Sequence, residues 1–197
     1  MNELTTIIIP TNNHEKTILR TLSSIKEYMD KHPSVRQVII TDNASRDETI
    51  PGMMHWLYNN KDDRFIFITQ PKKISEKKLL LIALESVQTP ISIITEPEGY
   101  TRKNQMKKQS ELLRKCDLVL PSRFHKDSKT NYKGKKKTLT AFNGEKYDDI
   151  ENTNKAFRTK KLLPLIKKTK TEKYWEEIIR KKHKIRITKC CTHWVKE

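Results

Sequence analysis

Ile91-Ser92-Ile93-Ile94-Thr95-Glu96-Pro97-Glu98-Gly99 is the stretch on which the reading of this chain turns. A short apolar run bounded by turn residues reads as a buried strand. It stops at two carboxylates one residue apart. In extended backbone, residues i and i+2 point the same way, so Glu96 and Glu98 can converge on one cation. Pro97 between them fixes φ and removes a donor. Two hard anionic oxygens at a strand end suit Mg²⁺ or Mn²⁺ that keeps some waters and also takes phosphate oxygens. The same residues satisfy a plain surface turn, because Pro and Gly beside acidic residues mark turns generally. The surrounding chain decides between the two.

Upstream, Leu4 to Ile9 (closed by Pro10), Gln37 to Thr41 and Arg64 to Thr69 are short β-branched or aromatic runs and read as strands. Helical patterns alternate with them. Glu15 to Asp30 repeats Ile18, Leu22, Ile25 and Met29 at steps of three and four. Ser45 or Asp47 can cap a helix through Ile50, Met53, Met54 and Leu57, and Ser75 can cap one from Glu76 to Val87. Downstream, Arg102 to Lys115 reads as a helix with Met106, Leu112 and Leu113 inward, and Asp117 to Leu120 as a strand. Apolar strands alternating with helices predict an α/β fold, with a mostly parallel sheet covered by helices on both faces.

The pattern changes after Phe124. Residues 125–137 are polar and basic and read as a mobile loop. A short strand at Thr138 to Phe142, an acidic turn at Tyr147 to Asn154 and a strand at Ala156 to Arg158 follow. Then come a helix at Lys160 to Lys168 interrupted by Pro164, a helix at Glu172 to Lys182 with Trp175, Ile178 and Ile179 inward, and a strand at Lys184 to Thr188. With 197 residues, a single domain is expected. Residues 1–124 would form a binding half and 125–197 a smaller second half.

A formal net charge of +17 implies polyanionic partners: phosphorylated small molecules, an anionic membrane face or nucleic acid. No RRM-, KH- or HTH-like motif supports the last of these. Cys116, Cys190 and Cys191 show no metal-site or disulfide-framework spacing, which suits a reducing compartment. The N-terminus lacks a signal-peptide pattern, and no apolar run is long enough to span a bilayer. A cytoplasmic location is therefore expected, with peripheral contact to an anionic membrane face as an option. His183 and His193 read as surface residues, and Trp56, Trp175 and Trp194 as core or interface.

Ligands of open parallel sheets sit beyond the carboxyl ends of the strands. Those ends carry Pro10, Thr11, Asn12, Asn13 and His14; Asp42, Asn43 and Ser45; Lys72 and Lys73; Glu96 and Glu98; and Ser122 and Arg123. That set fits a nucleoside diphosphate with a divalent ion. Neither GxGxxG nor GxxxxGK[ST] occurs, which argues against dehydrogenases and P-loop NTPases. Phosphate charge would fall to metal and to Lys or Arg.

Thr6-Ile-Ile-Ile-Pro-Thr-Asn-Asn13 followed by Val38-Ile-Ile-Thr-Asp-Asn-Ala-Ser-Arg-Asp-Glu-Thr49 resembles family 2 glycosyltransferases of the GT-A fold. Their pattern is a strand ending P-T-Y-N, then one ending D-[DN]-G-S-x-D-x-T. Glu96-Pro97-Glu98 falls where that family carries its DxD. Asp117-Leu-Val-Leu-Pro-Ser-Arg-Phe124 resembles D-[LV]-V-x-G-S-R-[YF] of the polyprenyl-phosphate sugar transferase branch, and Ala156-Phe-Arg-Thr-Lys-Lys-Leu-Leu163 is similar to its G-F-R stretch.

The resemblance implies an inverting transferase using a UDP- or GDP-sugar with Mn²⁺ or Mg²⁺, and a glycan, protein or lipid-phosphate acceptor. Pro10, Thr11 and Asn12 would line base and ribose, and Asp42 would accept from the base ring N–H. Glu96 and Glu98 would hold the ion, with Pro97 between them in the donor site. Arg123 would face the diphosphate or an acceptor phosphate; Lys72 and Lys73 match no family position but are placed by the end of the Arg64 to Thr69 strand for the same work. The base would come from Glu176-Glu177 on the late helix, with Glu172 or the Asp148-Asp149-Ile150-Glu151 cluster as alternatives. The chain departs from the pattern at Asn12 for Tyr, His14 for Glu, both glutamates for Asp and Pro121 for Gly. Those departures motivate a rival reading as a pseudo-enzyme that binds without turnover. A basic nucleic-acid-binding α/β protein is the other rival, resting on charge alone.

Overall fold

The computed structural model describes residues 3–97, 103–130, 132–181 and 184–194. A seven-stranded sheet has the order β10-β5-β9-β4-β1-β2-β3. Its strands are β1 (Thr5–Thr11), β2 (Val35–Asp42), β3 (Phe65–Thr69), β4 (Ile91–Ile94), β5 (Leu118–Ser122), β9 (Lys155–Arg158) and β10 (Ile187–Cys191). All of these pairings are parallel except those of β9, which runs antiparallel to both β4 and β5. The α/β class with a mostly parallel sheet is therefore as expected.

Strand alternation sorts the core into two layers. Ile7 and Ile9 of β1 face α1 (Ile18–Lys31), α2 (Thr49–Asn60) and α4 (Lys103–Leu112), meeting Leu22, Met29, Met53, Trp56 and Met106. Ile8 faces the other way, toward α3 (Glu76–Glu85), α5 (Thr159–Lys168) and α6 (Tyr174–Arg180), among Leu80, Leu84, Leu162, Trp175 and Ile179. The central strands are apolar on both faces because both faces are covered.

Among the boundaries that differ from expectation, three have a clear physical reason. β1 runs through Pro10 to Thr11. The Ile8 carbonyl accepts from Thr95 on the β4 side, so the missing Pro10 N–H also faces that side, beyond the end of β4 at Ile94. α5 is continuous across Pro164, because Pro164 is exposed and water can serve the carbonyl it leaves unbonded. The last long strand lies at Ile187–Cys191 rather than 184–188, because Cys190 and Cys191 are buried against Pro121 and Ser122 of β5.

The basic segment holds a short strand, β6 (Lys129–Thr130), paired with β11 (His193–Trp194). β7 (Leu139–Thr140) and β8 (Lys146–Tyr147) form a small antiparallel ladder. Trp56 and Trp175 are buried, as expected of core residues. His183 lies outside the described residues. No described helix is long and apolar enough to cross a membrane.

Candidate active site

A cleft of about 1310 Å³ opens beyond the carboxyl ends of β1, β2 and β4 and is walled by α3, α6 and the 149–155 turn. Pro10, Thr11, Asn12 and His14 form one side, and Glu96, Pro97 and Arg123 another. Glu176 stands on the α6 wall. Chain from both sequence halves builds it.

The β1 and β2 ends are zipped together by hydrogen bonds, most of them between neutral groups. Asn13 adopts φ 57°, a left-handed conformation that Asn tolerates better than most residues. There its N–H donates to Ser45 Oγ (2.8 Å) and its Oδ1 accepts from Arg46 N (2.8 Å). His14 N donates to Thr49 Oγ1 (2.7 Å), and Glu15 and Asp47 accept from each other's loops. The Asn12 amide donates to the Asn43 carbonyl (2.8 Å), while His14 Nδ1 accepts from Asn12 N (3.1 Å). Asn43 reaches further. Its Oδ1 accepts from Ile74 N (2.8 Å) and its Nδ2 donates to Ile74 O (2.9 Å), which fixes the Lys73–Ser75 edge of the cleft.

Asp42 sits behind this edge rather than on it. It is fully buried, and its carboxylate accepts from Ser45 N (2.9 Å) and Ser45 Oγ. Its carboxylate is engaged with the Ser45 turn and does not line the cleft. Lys73 lines the cleft and Lys72 does not.

The β4, β5 and β9 side is built from charge. Arg123 forks onto Asp149, Nε to Oδ2 at 2.9 Å and Nη2 to Oδ1 at 2.7 Å, and its backbone N–H also reaches Oδ2 (2.7 Å). Such bidentate pairs are the strong ones. The Tyr132 ring covers the guanidinium at 3.7 Å. Asn152 and Asn154 extend the turn, with Asn154 Oδ1 accepting from Glu96 N (3.3 Å). Thr21 Oγ1 donates to the Pro97 carbonyl (2.7 Å), tying α1 to the segment that carries Glu96.

Glu98 lies outside the described residues. Among the described residues no group of three or more His, Cys, Asp or Glu side chains forms a metal cluster. Glu96 is a hard oxygen donor at the cleft, and that fits a cation completed by water and phosphate.

The late glutamates part company. Glu176 faces the cleft; Glu177 does not. Glu177 instead accepts from Lys170 N and Thr171 Oγ1 and pairs with Lys181, which holds its carboxyl below the usual range. Glu172 and Glu151 also line the cleft, whereas Asp148 and Asp149 do not.

Sequence reasoning missed Lys155. It is 2% exposed, lines the cleft, and donates from Nζ to the carbonyls of Ile150 (2.9 Å) and Asn152. Burial pushes its ammonium down to about 8, against the pull of Asp149 and Glu96. The available signal was a lysine opening the apolar Ala156-Phe157 run, beside a strand that ends in carboxylates. Tyr132 and the turn residues Asn152 and Asn154 carried no signal of their own.

An open α/β sheet whose strand ends gather amide, carboxylate and cationic groups over one cleft defines an α/β protein with its candidate site at the strand ends. More narrowly, the chain belongs to glycosyl transferase family 2, whose family model matches residues 6–175. Three solved structures share its architecture. S. aureus TarS 1–349 in complex with UDP is 19% identical, with a TM-score of 0.70 over 98% of this chain and 60% of that one. The mannosyltransferase PcManGT from Pyrobaculum calidifontis, in complex with GDP-Man and Mn²⁺, is 16% identical, with a TM-score of 0.71 over 100% of this chain and 57% of that one. Glucosyl-3-phosphoglycerate synthase from Mycobacterium tuberculosis, with Mn²⁺, UDP and phosphoglyceric acid, is 13% identical, with a TM-score of 0.66 over 99% and 71%. These likenesses establish the GT-A fold. The chain spans about three-fifths of the length of the TarS 1–349 and PcManGT chains. No curated protein sequence matches it.

Proposed function

We propose that this protein is an inverting glycosyltransferase that takes a sugar from a UDP- or GDP-sugar and gives it to a hydroxyl or phosphate acceptor. The observation that carries the reading is that one cleft joins the Pro10–Asn12 turn, Glu96, Arg123 and, from the opposite wall, Glu176. The base and ribose would rest on Pro10, Thr11 and Asn12, and the diphosphate would lie toward Glu96 and Arg123. Glu176 would take the proton of an acceptor hydroxyl as its oxygen attacks the anomeric carbon from the face opposite the diphosphate. The nucleoside diphosphate then leaves with the bonding pair of the broken C–O bond. A phosphate acceptor is already ionised and would not need that base.

Glu96, with Glu98, is the proposed holder of Mn²⁺ or Mg²⁺. A bound ion would add positive charge against the departing diphosphate. The neighbours with UDP and with GDP-Man and Mn²⁺ support the donor class and the ion. Glycan, protein and lipid-phosphate acceptors all suit an open cleft. A cytoplasmic enzyme touching an anionic membrane face peripherally would be consistent with the +17 charge.

The test is a screen of UDP- and GDP-sugars with Mn²⁺ and Mg²⁺, reading nucleoside diphosphate release. Turnover with one donor is expected, with kcat down about 10²- to 10⁴-fold in Glu176→Gln. The same loss in Glu177→Gln, with none in Glu176→Gln, would move the base one residue along. If neither UDP nor GDP raises the melting temperature with Mn²⁺ present, the reading fails.

A further inference from the structure

We propose that Lys155 is a catalytic residue whose third N–H donates to the diphosphate of the bound nucleotide-sugar. This rests on the function proposed above and goes beyond it, because the family pattern assigns this lysine no role.

The geometry carries it. An ammonium has three donors and no acceptor. At Lys155, two donors are placed on backbone carbonyls, those of Ile150 and Asn152. The Trp175 ring lies 5.5 Å from Nζ. Among the described residues no carboxylate forms an ion pair with it; Asp149, in the adjacent turn, is taken by Arg123. A lysine buried to this degree without a paired carboxylate is unfavourable unless something else rewards the charge.

Its position says what that reward is. Lys155 opens β9 and pairs in register with Ile94, so it sits at the carboxyl end of β4, beneath Glu96. Arg123 follows β5, on the far side of β9. Lys155 and Arg123 therefore flank the part of the cleft away from the Pro10–Asn12 turn. A nucleotide seated on that turn extends its diphosphate toward these two cations. The cleft also holds an unpartnered buried hydroxyl in the same turn, Thr153 Oγ1. A lysine serving only to staple the turn would need its two carbonyl bonds and no place on a cleft. The phosphate of an acceptor would offer similar oxygens, but the lysine's place beside the β4 end favours the donor.

The chemistry is charge stabilisation. As the anomeric C–O bond breaks, negative charge grows on the leaving phosphate oxygen, and a fixed N–H donor in a dry site is worth most there. Lys155 keeps its proton throughout.

The experiment compares Lys155→Met with the wild type by calorimetry, using UDP, GDP, uridine and guanosine, in Mn²⁺ and again in EDTA. The variant is expected to lose at least tenfold in affinity for the nucleoside diphosphate and less than twofold for its nucleoside, in both conditions. Equal losses for both, or none, overturn the assignment and leave a structural staple. A loss seen only when inorganic phosphate or a lipid phosphate is the probe moves the contact to the acceptor and also overturns it. Should Lys155→Met not fold, Lys155→Gln keeps an N–H for the carbonyls without the charge. The wild type gives an independent reading. The slowly exchanging ¹⁵N signal of a buried ammonium should shift on adding the nucleoside diphosphate and stay put with the nucleoside; an unmoved signal overturns the assignment. A wild type that binds no nucleotide even with Mn²⁺ is a different failure, that of the proposed function itself.

Discussion

The two sides of the cleft are held by different forces. On the β1–β2 side, Asn13, Ser45, Thr49 and Asn43 hold the loops through neutral hydrogen bonds, and the one carboxylate at the centre, Asp42, is satisfied by Ser45. On the β4–β5–β9 side, Arg123 and Asp149 form a buried pair, and Lys155 is a buried cation on carbonyl oxygens. Neutral bonds cost little to desolvate and each adds about 1 kcal/mol. Buried charges cost more to place, and their removal one at a time costs most. The first side is thus a rigid seat. The second stores electrostatic free energy where a charged ligand would use it.

The sharpest way to break this contrast is Asp149→Ala. Both partners of the Arg123 pair are largely shielded, with side chains 11% and 3% exposed. Losing the carboxylate removes the bidentate partner of Arg123 and one of the negative charges that offset Lys155. A loss of about 3–5 kcal/mol in unfolding free energy is expected by denaturant titration. A loss under 1 kcal/mol would show that the β5–β9 side does not rely on its charges.

Lys155 gives the contrast a pH signature. Its folded pKa is lowered from 10.5 to about 8. Between those values the unfolded chain binds the proton and the folded chain does not, so this group makes stability rise with pH across that window. Below about 8 the ammonium is charged in both states and the burial cost is borne in full. Relative to Lys155→Met, the wild type should therefore gain on the order of 3 kcal/mol between pH 8 and pH 10.5. Parallel stability curves for the two proteins would refute it. The comparison with the variant removes the opposing slope of Cys190, whose thiol burial pushes up to about 12.

This difference between the sides also explains what the sequence revealed. β1, β2 and β4 were legible because strands covered on both faces are largely apolar: Ile7–Ile9 and Val38–Ile40 are wholly so, and Ser92 is the one polar residue of Ile91–Ile94. The α1 register, with Ile18, Leu22, Ile25 and Met29 all buried, followed from period alone. Rim residues adjacent to those strands, such as Pro10, Thr11, Asn12 and Glu96, were then found by position. Arg123 was found the same way, but its partner was not. The Asp149–Arg123 pair joins residues 26 apart across a turn with no periodicity. Lys155 was hidden for a related reason. A lysine in a basic chain reads as surface, and only the antiparallel insertion of β9 between β4 and β5 buries it. Asp42 was read from its place in the family pattern at the end of β2, and that place alone does not reveal that its carboxylate accepts from Ser45.

On the neutral side the effects should be smaller. Asn43→Ala removes both bonds to Ile74 and leaves that residue's N–H and carbonyl to find water at the cleft edge. A loss of about 2 kcal/mol is expected. Nucleotide affinity should fall with it, since Ile74 and Ser75 line the cleft. A stability loss without any change in affinity would separate this edge from the binding site.

The smallest effect has the opposite sign. Ala44 adopts φ 59°, in the left-handed region where a Cβ is unfavourable, at the position where the family pattern carries glycine. Asn13, at φ 57°, offsets its own strain by accepting from Arg46 N. Ala44 has no polar side chain to do so. Ala44→Gly relieves about 1 kcal/mol in the folded state and gives back part of it through the freer unfolded chain. A net gain of roughly 0.5 kcal/mol is expected, read as a rise of about 1–2 °C in melting temperature. Asn13→Gly should lower the melting temperature instead, because the same relief removes a hydrogen bond between the two loops. If both glycine variants shift the same way, conformational strain rather than the hydrogen-bonded zip governs the β1–β2 side.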